Sequence, residues 1–389
     1  MMKPLSISMM PQLFARFQRY FPQRELRAIW AGVEPRAYPI AISSQGLLQA
    51  FMLAFLARLT GLREVTRRCG RLLGTSCFSS LADALVRARL VEFACRALER
   101  LECPIEPPEA QLVALDSMAQ TLAATQRHHC AKLNDKSVGG GVLWAFWIGA
   151  HAPLSPVRVL KVVAGAWCDS RLMRTVTLAA NGPIYLMDRG FYAFDLLRSW
   201  MSGQVRFIVR ARERCLVFAV EKIITAASAR YGSKTLLLDA WVSLGAPSAK
   251  SHPRVRLLRF RLPSGETLSL ATSLDERWSA GCILLYYRER RKIEPLHRLI
   301  KETLGLAHLY SFHWRGIVFL LYTALILALL LFLSDPGADA VASMRRALRR
   351  ARACLGLSAP WRRNLLPAQQ RPKKQEKKQR IKGWKPSYA

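Results

Sequence analysis

Negative charge is what this chain has least of. Only 26 of its 389 residues are Asp or Glu against 59 Lys and Arg, a formal net charge of +33. An excess that large repels itself unless a polyanion neutralises part of it, which leaves DNA, RNA or an anionic membrane surface as candidate partners. The basic residues run along the whole chain, so an extended binding surface is expected rather than one basic tail. Paired cysteines are also missing. The nine cysteines are odd in number, widely spaced and contain no C-x-x-C pair. That excludes a disulfide framework and reads as reduced thiols of a cytoplasmic protein, buried mostly as small apolar residues. His128, His129 and Cys130 have no second ligand pair to complete a tetrahedral zinc site. The first 24 residues are basic and lack the continuous apolar stretch of a signal peptide.

One strongly apolar run, Ile317 to Leu333, is 17 residues without a charge, at the lower edge of a membrane span. The alternative is a helix buried on every side in an α/β core. The soluble-enzyme character of the preceding sequence favours the buried helix, with a membrane anchor as the rival, so no membrane partner is expected. The hydrophobic fraction of 51% is ordinary for a globular protein.

Residues 1–108 read as a helical N-terminal domain. Ser80 to Asp83 forms a capping box, and a long helix follows with Leu81, Leu85, Ala88, Val91, Cys95 and Leu98 on one stripe. A short helix, a turn and a basic helix suit a helix-turn-helix DNA reader, and equally a plain helical bundle. Pro104, Pro107 and Pro108 mark a linker. Residues 109–214 alternate strand and helix. Strands are predicted at 111–115, 142–148, 157–164, 184–187 and 205–209, with helices opening at Asp169 and Tyr192. This β-β-β-α-β-α-β order is that of an RNase-H-like fold, α/β in its core and α+β overall. Residues 215–275 hold four β-like runs, an all-β insertion with a hairpin turn at Pro263-Ser264-Gly265. Residues 276–335 return to helix, with one predicted from Trp278 to Gly305. Residues 336–389 are basic, and from 361 onward aperiodic, and read as a largely disordered tail.

Two acids, Asp116 and Asp188, each follow an apolar strand. Carboxylates at the rim of a sheet are seldom left without a partner. One such Asp is commonly a turn former or a helix cap, the role read for Asp169. Two on neighbouring strands plus an acid on a packed helix is an arrangement that chelates Mg²⁺. The third acid lies in a stretch where Tyr287, Arg290, Glu294 and Lys301 are spaced 3, 4 and 7 apart. At about 100° per residue they fall within roughly 60° of one another on a helix. Spacing alone fits a solvated face with ordinary ion pairs as well as a functional face.

The pattern Y-x2-R-x3-E-x6-K, filled by Tyr287, Arg290, Glu294 and Lys301, resembles the signature of DDE transposases of the insertion-sequence-four family. Tyr185 to Tyr192 (YLMDRGFY) looks like the second-Asp motif of that family, and Leu112 to Ser117 (LVALDS) is similar to its first. The likeness extends over roughly residues 40–335. Pro295, directly after Glu294, departs from the unbroken helix of the family. The resemblance implies a DNA transposase in which Asp116, Asp188 and Glu294 are both catalytic and metal-binding. They would hold two Mg²⁺ ions, replaceable by Mn²⁺, while Tyr287, Arg290 and Lys301 grip DNA phosphates. Its partners would be the terminal inverted repeats and target DNA, bound by a homodimer. Trp241 and Trp278 are candidate stacking partners for a flipped base, or plain core tryptophans. A catalytically inactive DNA-binding relic is the alternative outcome.

The charge excess predicts that DNA affinity falls steeply with salt, by about 0.9 in the log–log slope for each phosphate neutralised. Filter binding or anisotropy across a salt series reads this, and a flat response contradicts the electrostatic argument.

Overall fold

In the computed structural model the described residues are 44–59, 61–74, 77–85, 89–102, 112–121, 132–133, 136–148, 157–164, 167–212, 215–225, 228–248, 252–294, 313–335 and 340–354, with four single positions before 44. Lys301, Pro295, the prolines of the linker, the His128–Cys130 trio and the tail beyond 354 lie outside them.

Four helices open the described chain: α1 (Ser44–Ala57), α2 (Leu62–Leu73), α3 (Phe78–Leu85) and α4 (Leu90–Glu102). The single long helix expected from Leu81 is two helices, and Ser80 lies inside α3 rather than capping it. Helix α3 starts early because the Leu81 N–H already finds the Cys77 carbonyl, at 3.3 Å. Then come β1 (Leu112–Thr121), β2 (Lys132–Leu133), β3 (Lys136–Ile148), β4 (Val157–Ala164), α5 (Asp169–Met173), β5 (Ile184–Met187), α6 (Phe194–Ser202) and β6 (Phe207–Arg210). Strands β7 (Val217–Ile223), β8 (Arg230–Tyr231), β9 (Lys234–Leu244), β10 (Arg254–Arg261) and β11 (Thr267–Thr272) follow. Three helices end the described chain: α7 (Ala280–Glu289), α8 (Trp314–Ser334) and α9 (Ala340–Cys354).

All eleven strands join one mixed sheet, whose main path runs β2-β3-β1-β5-β6-β11-β10-β9-β7. Strands β1, β5 and β6 are parallel neighbours, and β3 and β4 extend the sheet antiparallel on one side. The β-rich stretch 215–275 forms no sheet of its own. Its strand β11 pairs with β6 and carries the central sheet outward. The predicted hairpin joins β10 to β11, with Gly265 at φ 86°, a left-handed conformation open to glycine at little cost.

Side-chain alternation along the strands loads both faces of the sheet. Ala114, Met118, Leu186 and Ile208 enter one apolar cluster with α1–α4, α7 and α8, while Val113, Leu115, Met187 and Val209 enter the other with α5 and α6. Helix α8 is long and apolar enough to cross a membrane by composition, yet 94% of its apolar window is buried against other parts of the fold. It packs on β3 and β4 and on α1, α4 and α9. The Phe51 and Phe319 rings meet edge to face at 6.2 Å. Each large apolar side chain so covered contributes about 1.5–3 kcal/mol relative to exposure.

Among the described residues, one ion pair is fully inside. Arg256 on β10 donates through Nε and Nη2 to both carboxylate oxygens of Asp239 on β9, at 2.7 and 2.8 Å, with exposures of 1% and 0%. Thr225 donates to Asp239, and Arg256 Nη1 also reaches the carbonyls of Asp275 and Trp278, which ties the outer strands to the start of α7. Removing one partner strands the other charge in the core. Asp239→Ala is therefore expected to cost about 3–5 kcal/mol, read from the urea midpoint, and a loss below about 1 kcal/mol contradicts this placement.

Candidate active site

Strand β1 was expected to end at Asp116. It continues five residues further, because Met118 is still buried in the first cluster, and Asp116 pairs with Trp144 of β3. In the parallel pairing of β1 with β5, Leu112 faces Ile184 and Ala114 faces Leu186. Continued by two residues, that register sets Asp116 beside Asp188, on strands about 4.8 Å apart. Asp116 shares the parity of Ala114 and Met118 and so lies on the side of α7. Asp188 leaves β5 and caps a single turn of 3-10 helix, Arg189–Phe191, its Oδ1 accepting the Gly190 N–H at 2.8 Å.

The third expected acid follows α7. Ser279 caps that helix by accepting the Cys282 N–H, so it opens at Ala280 rather than Trp278. The helix tightens into a 3-10 turn at Arg290–Lys292, and this turn packs against β1. A proline at 295 has no N–H for the Arg291 carbonyl, which is a covalent reason for the regular helix to fail here. Arg290 reaches the carboxylates from this turn. Its Nη2 lies 3.4 Å from Asp188 Oδ2 and its Nη1 3.9 Å from Glu294 Oε1. Ile293 is buried, whereas the Glu294 side chain is 61% exposed. Tyr287 is half-buried one turn earlier, and burial pushes its phenol up, with Arg290 and Arg210 opposing. Helix α7 and the turn after it thus bring Tyr287 and Arg290 to the two aspartates and leave Glu294 at the margin.

Spacing missed one member. Asp169 is the first residue of α5, and Cys168 occupies the capping position without a side-chain cap bond. Instead Asp169 accepts a short hydrogen bond from Ser117 Oγ. That partner is 52 residues away in sequence, a distance no local pattern bridges. Of the two tryptophans considered for base stacking, Trp241 is buried and Trp278 half-buried. Trp241 is 8% exposed and donates to Glu276 at 3.1 Å, and Trp278 packs edge to face on Tyr286.

Electrostatics bind the cluster together. Burial pushes the Asp116 carboxyl up to about 7, helped by the like charges of Asp188 and Asp169 and opposed by Arg290. Burial also raises Asp169, against its bond from Ser117. Burial works against the Arg290 charge, but Asp116, Tyr287, Asp188 and Glu294 together hold its proton more firmly than usual. Hard carboxylate oxygens crowded with like charge fit a divalent cation in donor chemistry, since such an ion relieves the same repulsion. Among the described residues, however, no three His, Cys, Asp or Glu side chains are gathered around one point. Arg290 supplies the positive charge in this arrangement.

Because Asp116 is raised above its unfolded value of 3.8, its contribution to stability is present below that value and lost as pH rises through about 7. The metal-free chain is expected to lose melting temperature across this window, and Asp116→Asn to lose less. Superimposable pH profiles for the two proteins contradict the burial of this carboxyl.

Comparison with known proteins gives one family. Residues 159–331 match the family model of the transposase DDE domain, a span that includes Asp169, Asp188 and Glu294 and begins after Asp116. No curated protein matches the chain. Among solved structures it is similar to a piggyBac transposase in a synaptic complex with hairpin DNA, at 10% identity and a TM-score of 0.42, over 90% of this chain and 82% of that one. DDE transposase domains generally use divalent metal ions. Residues 159–331, less than half of the chain, are thus similar to transposase DDE domains.

Proposed function

We propose that the protein is a DNA transposase of the insertion-sequence-four type, with an RNase-H-like catalytic core, that cleaves and joins strands at the inverted-repeat ends of its element. The observation that carries the reading is the β1–β5 register, which sets Asp116 beside Asp188 on the face where α7 and the turn after it deliver Tyr287 and Arg290. Asp116, Asp188 and Glu294 would hold the divalent metal, Mg²⁺ by preference with Mn²⁺ as a substitute. When bound, the metal supplies charge neutralisation at the oxygens of an in-line displacement at phosphorus. Binding it requires the Arg290 guanidinium to turn away from Asp188.

The freed Arg290 then faces the substrate. A guanidinium suits bidentate contact with a phosphate, the Tyr287 hydroxyl donates a hydrogen bond, and Lys301 adds a point charge. In the first step a water oxygen bonds to phosphorus and the bond to the 3′ oxygen breaks. The water gives up a proton, and the leaving oxygen takes one up as a 3′-OH. In the second step that 3′-OH attacks another phosphodiester, displacing its 3′ oxygen in the same way. The net charge of +33 supplies the phosphate affinity that holds two DNA ends to a homodimer. Such a substrate assigns the protein to the cytoplasm, at the nucleoid.

A second reading, a DNA-binding relic that has lost its chemistry, is favoured by the exposure of Glu294 and by the 3-10 turn just before it. Strand cleavage decides between them. DNA carrying the inverted repeats that flank the gene is incubated with Mg²⁺ and either wild type or Asp188→Ala. The wild type is expected to nick the repeat ends, with Asp188→Ala at least about 100-fold slower. Equal rates remove the mechanism, and inactivity of both proteins establishes the relic.

A further inference from the structure

Asp169 reaches both aspartate-bearing strands from the opposite side of the sheet to α7. Helix α5, which it opens, packs through Leu172 and Met173 into the second apolar cluster. One carboxylate oxygen, Oδ1, accepts from Ser117 Oγ, and Ser117 directly follows Asp116 on β1. The other, Oδ2, fills the space where a side chain at Gly190 would begin, so that any Cβ there collides with it. Gly190 in turn donates its N–H to Asp188 Oδ1. The glycine of the Asp188-Arg189-Gly190-Phe191 turn is not needed for backbone freedom, because Gly190 is not among the positive-φ glycines. The place of its Cβ is taken by the Asp169 carboxylate, which would have to move for any larger residue.

This deepens the reading of the site as a divalent-metal centre and rests on it for the metal part of the test. We infer that Asp169 is a positioning residue, which sets the distance between Asp116 and Asp188 by bridging Ser117 on β1 to the Gly190 turn behind β5. Two carboxylates side by side repel, and the chain on this face must hold them together before any cation arrives. Ser117 directly follows Asp116, and Gly190 lies two residues after Asp188 and donates to it, so a group touching both transmits a displacement of either strand end to the other.

The bridge needs a hydrogen-bond acceptor of the right size, not a charge, and this separates it from a fourth metal ligand. Mn²⁺ binding to the full chain, followed by the loss of free Mn²⁺ signal in electron paramagnetic resonance, is the first readout. Asp169→Ala and Ser117→Ala are each expected to weaken Mn²⁺ binding by about 10–100-fold, the usual effect of losing a group that orients a ligand. Asp169→Asn keeps the acceptor oxygen and the volume and is expected to restore binding to within about threefold. Asparagine as weak as alanine, or alanine no weaker than wild type, overturns the inference. The second readout needs no metal. Gly190→Ala is expected to lower the melting temperature, and adding Asp169→Ala to recover part of that loss, because the collision is gone. Strictly additive losses overturn the bridge. A wild-type chain that binds no Mn²⁺ overturns the metal reading, while the melting cycle still decides the contact by itself.

Discussion

Like charge forced into one corner of a half-buried sheet is the constraint on which the rest of this molecule turns. Asp116, Asp188 and Asp169 come from three separate elements; Asp188 and Asp169 raise the cost of ionising Asp116, and Asp188 that of ionising Asp169. A fold tolerates this only if positive charge is delivered to the same place. Here Arg290 delivers it, from a turn of helix tightened at that position. The metal-free site is therefore a salt-bridged cluster whose cation is a side chain. The proposed chemistry exchanges that cation for a divalent one and hands the guanidinium to the substrate.

The sheet makes the corner possible. Parallel pairing of β1 with β5 brings together two acids 72 residues apart, and apolar side chains on both faces leave the strands little freedom to slip. A slip of one residue would exchange every inward and outward side chain. Helix α8 and the N-terminal helices close one face, and α5 and α6 close the other, so the register is determined from both sides. Arg256 and Asp239 do comparable work at a distance, joining β9 and β10 to the loop that launches α7 and hence to the position of Arg290.

Strands were readable wherever period and composition agreed: β4 and β5 fall at their expected limits, and the four runs between 215 and 272 all form strands. What escaped depends on partners remote in sequence. β1 runs past Asp116 because β3 stays alongside to pair with it, and the outer strands join the central sheet because β11 finds β6. The aspartate pair and the Tyr287–Arg290 face were visible as spacing. Asp169 was not, because an acid before a short helix has the local pattern of a cap whether or not it caps. Glu294 shows the converse: its spacing pointed to the site, yet the chain after the turn leaves its side chain at the rim.

The central claim is that Asp116 and Asp188 form a divalent-metal site now closed by Arg290. Anomalous X-ray diffraction from crystals of the full chain soaked in Mn²⁺ tests it most directly. The account predicts an anomalous peak within bonding distance of both aspartates, with the Arg290 side chain moved off Asp188. A fully soaked crystal without a peak there, and with Arg290 still paired to Asp188, would contradict it.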